Sequence, residues 1–82
     1  MINNNTKISE TILAFARQRG INKTTCPSEI ARALFPDDWK KYMEQVRDEA
    51  IKLHNKGQVV IMQKGKIIDV QHIKGPVRIK IV

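Results

Sequence analysis

Four signals follow one another along this chain: an apolar face at helical spacing, a short run opening with Cys26-Pro27-Ser28-Glu29, a longer stripe from Trp39 to Lys56, and two strand-like runs separated by a basic turn. The order helix, helix, helix, hairpin constrains the fold more than any motif, because 82 residues hold one domain with a small core.

The first helix is expected to start after Asn5 or Thr6, either of which can accept the orphan N–H groups of the first turn. Ile8, Ile12, Phe15 and Ala16, with Leu13 beside them, recur at spacings of three and four and make one apolar face. Gly20 supplies a left-handed stop. Residues 21–25 then read as an extended connection able to pair by one bridge with the hairpin. Pro27 suits the first position of a second helix, where its missing N–H costs nothing, and Glu29 favours the positive helix start. Ile30, Ala33 and Leu34 are expected to be its buried side, and Pro36 ends it. Trp39, Met43, Val46, Ala50 and Leu53 recur at four, three, four and three, which makes them the core stripe of a third helix, with Asp37 or Asp38 to cap its start and Gly57 its end.

After Gly57, Gln58-Val59-Val60-Ile61-Met62-Gln63 is β-branched and reads as a strand, Lys64-Gly65-Lys66 as a turn, and Ile67-Ile68 as a short return. From Pro76 the alternation sets Val77, Ile79 and Ile81 on one face and Arg78 and Lys80 on the other, a half-buried strand expected to pair with 58–63. These signals predict helices over 7–19, 27–35 and 38–56, strands over 58–63 and 76–81, and a wing over 64–74. A flexible stretch over 1–6 precedes a single domain at 7–82. The fold class is α+β, a winged helix-turn-helix with a C-terminal hairpin.

The net charge of +7 is unevenly placed. Five basic residues face four acidic ones up to Asp38, five face three from Trp39 to Lys56, and five face Asp69 alone from Gly57 onward. A hairpin that collects the positive charge suits a polyanion, since phosphate contacts supply most non-specific nucleic-acid affinity. The outward face of the third helix carries Lys41, Gln45, Asp48, Lys52 and Asn55, with Lys40, Glu44 and Arg47 at its shoulders. In a helix-turn-helix this surface meets the major groove. Asp48 and Lys52 also suit an i,i+4 ion pair, as on a merely solvated helix, and a mid-face acid repels phosphate. The candidate nucleic-acid contacts are therefore Lys40, Lys41, Gln45, Arg47 and Lys52 on the helix, and Lys64, Lys66, Lys74 and Arg78 on the wing and its strand. The basic wing has a plainer reading as a charged edge that discourages sheet-to-sheet aggregation.

Cys26-Pro27-Ser28-Glu29-Ile30-Ala31-Arg32, followed by Pro36, Trp39, Val46-Arg47 with Ala50, Gly57, Gln63-Lys64-Gly65 and Gly75-Pro76-Val77-Arg78, resembles the bacterial domain of unknown function numbered 3253. The resemblance runs from about Ile8 to Ile81 and implies a winged-helix-like fold with no established activity. One departure is Val70-Gln71-His72-Ile73-Lys74, which lacks the proline and small residues expected there. Of the residues in these motifs, Ser28 and Glu29 read as a helix start, Arg32 and Arg47 as partners of acids such as Glu29 or Glu49, and Arg78 as a phosphate clamp or a partner of Asp69.

Nothing in the pattern suggests an enzyme. A nucleophile needs a base within hydrogen-bond reach, and Cys26 has no spacing to His54 or His72 that implies one, although a thiol at a helix N-terminus is a reactive position. Asp37-Asp38 reads as a pair of ordinary caps, and neither metal-ligand spacing nor a phosphate-binding glycine motif occurs. No cofactor or metal is expected. A single cysteine and an N-terminal stretch without a signal-like apolar run suggest a reducing cytoplasm, and the longest apolar run, Ile12 to Ala16, rules against a helical membrane span. Phe15, Phe35, Trp39 and Tyr42 all lie in the helical half, so the hairpin lacks the stacking surface of a single-strand reader and duplex DNA is the favoured partner. The alternative is a module that docks an acidic protein. No heptad extension supplies a dimer interface, which suggests a monomer or weak homodimer.

Overall fold

The computed structural model describes residues 4–68 and 75–82. Ile8, Ile12 and Ala16 are fully buried on one side of α1 (Asn4–Arg19), as their spacing predicts. The helix is already formed at Asn4, so the flexible stretch expected over 1–6 is helical from that residue on. The cause is tertiary: Gln45 donates a hydrogen bond from Nε2 to Asn5 Oδ1, which ties the first turn to the third helix.

The connection 20–26 leads to α2 (Pro27–Leu34), with Pro27 at its first position. Its buried residues are Pro27, Ile30 and Ala31, and Leu34 packs against them from partial burial. The expected Ala33 is instead exposed. On a helix the face through Ile30 runs 27, 30, 31, 34, and Ala33 lies on the other side of that row. Phe35 closes the helix with φ −134° and ψ 67°, because the following Pro36 disfavours a helical conformation in the residue before it.

The single helix expected over 38–56 is two pieces: a 3₁₀ turn at Trp39–Tyr42 and α3 at Met43–Asn55. Asp38 begins the turn through its backbone carbonyl, which accepts the Lys41 N–H at 2.9 Å, and makes no side-chain cap. The stacked Phe35 and Tyr42 rings, 3.8 Å between centroids, hold the end of α2 over the end of this turn. Tight 3₁₀ winding at the start of an α-helix is common where the approaching chain is so constrained. Val46, Ala50 and Leu53 are buried, with Trp39 and Met43 packed at the margin of the core. Gly57, at φ +77°, donates to the His54 carbonyl, and Gln58 donates to that of Leu53; this paired arrangement satisfies the last carbonyls of α3.

β1 (Val59–Gln63) lies at the centre of an antiparallel sheet, between β2 (Lys66–Ile67) and β3 (Arg78–Ile81). Lys64 and Gly65 form the β1–β2 turn, both with positive φ, 53° and 79°. This is the twist that matches a two-residue hairpin, and it is why a glycine stands at the second position. The expected pairing of the last run with the first strand holds, in the register Val59↔Ile81 through Met62↔Arg78. Val59, Ile61, Val77 and Ile79 face inward. The one-bridge connection is also present: Thr25 and Ile79 exchange N–H···O bonds of 2.8 and 2.7 Å. Thr25 is fully buried, and its hydroxyl has no partner among the described residues. Where β2 ends, His54 Nδ1 accepts the Ile61 N–H at 3.3 Å, so an imidazole completes the edge of β1. Of the predicted wing 64–74, residues 69–74 lie outside the described residues. The result is a mixed α+β fold in which three helices and a small three-stranded sheet close on one shared core.

Candidate nucleic-acid interface

The nine positions nominated from the sequence fall into three groups. Lys64 and Lys66 flank Gly65 at the tip of the β1–β2 hairpin, exposed and with no carboxylate against them among the described residues. Lys40 and Lys41 are exposed on the 3₁₀ turn ahead of α3, with the Lys40 ammonium 5.6 Å from the centre of the Trp39 ring. Lys74 lies outside the described residues.

The rest are engaged within the protein. Gln45 is turned toward α1 by its bond to Asn5. Lys52 donates to Glu49 Oε1 at 3.0 Å, one turn back on α3, and not to the Asp48 expected from i,i+4 spacing. Glu49 explains that choice. It is 5% exposed, its second oxygen accepts the Ser9 hydroxyl at 2.8 Å, and a carboxylate so buried holds a nearby ammonium more strongly than one in water. Arg47 is half-buried beside Cys26, Pro27 and Met43, and its Nε has no partner among the described residues; Glu49, one of the acids suggested for it, is already satisfied by Ser9 and Lys52. Arg78 donates from Nε to Thr24 Oγ1 at 2.8 Å and from a terminal nitrogen to the Thr24 carbonyl at 3.4 Å, fixing its guanidinium beside the Thr25–Ile79 bridge. The alternative partner Asp69 lies outside the described residues.

Two charge pairings differ from expectation. Glu29 takes Arg19, at the end of α1, and Arg32 instead lies over the Trp39 ring, 4.3 Å from its centre. Arg32 can reach the 3₁₀ turn because it stands in the last turn of α2, whereas Glu29 stands in the first, beside the end of α1. Burial raises the affinity of the Glu29 carboxyl for a proton, but the Cys26 thiol and the Arg19 guanidinium together outweigh that and hold it below the ordinary carboxylate range. Cys26 itself lies at the N-cap of α2 without capping a backbone N–H, and its Sγ is 3.1 Å from Ser28 Oγ and 3.4 Å from Glu29 Oε1.

What this arrangement can do follows from which cations are left without an acid. The outward charge of α3 is partly neutralised by its own acids, whereas the hairpin tip presents two ammonium groups that no acid opposes among the described residues. Among the described residues, no group of three or more His, Cys, Asp or Glu could hold a metal ion. No helix among them is long and apolar enough to cross a membrane. Arg19 and Lys23 also gather with Arg78 around one depression, a grouping without a sequence signal because nothing local relates positions so far apart.

The fold thus defines a small α+β domain with a basic hairpin. The chain belongs to the family described as Protein of unknown function (DUF3253), whose model matches residues 5–82. No curated protein matches the chain.

Proposed function

We propose that this protein is a winged helix that binds duplex DNA through phosphate contacts from the hairpin turn and the start of the third helix. The observation that carries the reading is Lys64-Gly65-Lys66: two exposed ammonium groups on a tight turn that extends past the sheet, with no acid opposing them among the described residues. The element order supports it, with a one-residue bridge between α1 and α2 pairing with β3 as the first strand of a wing would. Lys40 and Lys41 add two exposed cations ahead of α3. Contacts of this kind hold the backbone and carry little base preference, so the activity is non-specific or shape-directed binding, without catalysis. In a fluorescence anisotropy titration against random duplex, affinity should fall steeply with salt, and changing Lys64, Lys66 and Lys74 together to Ala should abolish most of it. Absence of binding at low salt sinks the proposal.

A second reading rests on the mixed sign of α3, where Glu44 and Asp48 are exposed among the lysines. It is a docking module for an acidic protein. Nuclease-resistant capture of one acidic protein, lost in the same hairpin variant, would favour it over DNA.

A further inference from the structure

Arg19 at the end of α1, Asn22, Lys23 and Thr24 in the connection, Glu29 in the first turn of α2 and Arg78 at the start of β3 line an open depression of about 740 Å³. Every residue that lines it is polar or charged, with three cations against one carboxylate. Glu29 is occupied by Arg19, which leaves Lys23 and Arg78 as cations without an acid among the described residues. Arg78 is already oriented. Thr24 accepts two of its five N–H donors, and Thr24 is itself fixed because its neighbour Thr25 is bonded in both directions to Ile79. The remaining donors of the fork, the Lys23 ammonium and the Asn22 amide line the same depression without a partner among the described residues, which suits an oxyanion with several acceptor oxygens.

We propose that this depression is a phosphate-binding site with Lys23 and Arg78 as its cations, the phosphate coming from a nucleic-acid backbone or from a free phosphate ester. A phosphate carries close to the charge that these two cations leave uncompensated. The site is separate from the hairpin tip, and it stands whether or not the hairpin binds DNA.

The test is an amide chemical-shift titration of the full chain with inorganic phosphate and, separately, with random duplex. Each ligand that supplies the phosphate should shift the amides of Asn22, Lys23, Thr24 and Glu29. Lys23 is exposed and its side chain makes no hydrogen bond or ion pair among the described residues, its one bond being from the backbone N–H to the Gly20 carbonyl, so Lys23→Glu should fold normally and weaken binding about tenfold, as expected for one charge-assisted contact turned repulsive. Arg78→Lys keeps the charge, loses the fork, and should weaken binding by a smaller factor. Shifts with phosphate alone assign the site to a free ester, and shifts with duplex, at a salt slope lowered by about 1 in Lys23→Glu, assign it to a backbone. No movement of these amides with either ligand overturns the site, and duplex binding that persists without that movement leaves the hairpin reading intact.

Discussion

In the helical half, Glu49 is buried between Ser9 and Lys52, Glu29 holds Arg19, and Arg32 covers Trp39; in the hairpin, Lys64 and Lys66 flank Gly65 with no acid against them among the described residues. The two regions have similar proportions of basic residues but use them differently. Helices that pack on one another bring side chains from distant positions together, so a charge there tends to find a partner. A two-residue turn at the end of the hairpin has no such neighbour among the described residues. The lesson is that counting charges along α3 overstates what that helix can offer a polyanion, and counting them on the hairpin does not.

Substitutions in each region test that contrast. The largest effect is expected where the two regions meet: Ile79→Ala should cost about 2–5 kcal/mol in urea unfolding, since Ile79 is fully buried and its backbone bridges Thr25. Glu49→Ala should cost about 1–3 kcal/mol, because Ser9 loses its acceptor and Lys52 its partner; a cost within error would mean that α3 holds its charges no more firmly than the hairpin does. Thr25→Val should be neutral or stabilise by up to about 1 kcal/mol, because it removes a buried hydroxyl that has no partner among the described residues.

The pair Arg19–Glu29 is partly solvent-exposed and should contribute less than about 1 kcal/mol. Since the Glu29 carboxyl is held below its unfolded value, that contribution is present above the unfolded range near pH 4.3 and is lost as pH falls through the folded value. Glu29→Gln should therefore lower stability at neutral pH by less than about 1 kcal/mol and flatten the acid limb below about pH 5, so that the two proteins converge at low pH; an unaltered acid limb would show that the pair does not act on stability. The smallest stability effect, within about 0.5 kcal/mol, is expected for Lys64→Ala with Lys66→Ala. A larger loss would mean that the hairpin charges are structural after all.

Much of the fold was legible because its signals are local. The Ile8, Ile12, Ala16 row, Pro27 at a helix start, the Gly65 turn and the alternation through Val77 and Ile79 each depend on residues a few positions apart. Even the Thr25 bridge could be anticipated from the extended stretch before Pro27. The candidate site was less legible. Lys64 and Lys66 are as exposed as their turn implied, whereas Gln45 and Lys52 were nominated as outward contacts and are bonded to Asn5 and Glu49. The break of the third helix into a 3₁₀ turn and α3 also went unseen, because the Trp39, Met43, Val46 row fits one continuous helix equally well and the Phe35–Tyr42 stacking that accompanies the turn has no local signature.

Element order, the core rows and the excess of positive charge in the last third are written in local pattern, since periodicity, turn chemistry and composition act over a few residues at a time. Which cations lack an acid among the described residues depends on how the elements pack. Ser9 meets Glu49, Arg19 meets Glu29, and Lys23 comes beside Arg78 because helix packing and the Thr25–Ile79 bridge close those distances, and electrostatic partnership depends on distance in space.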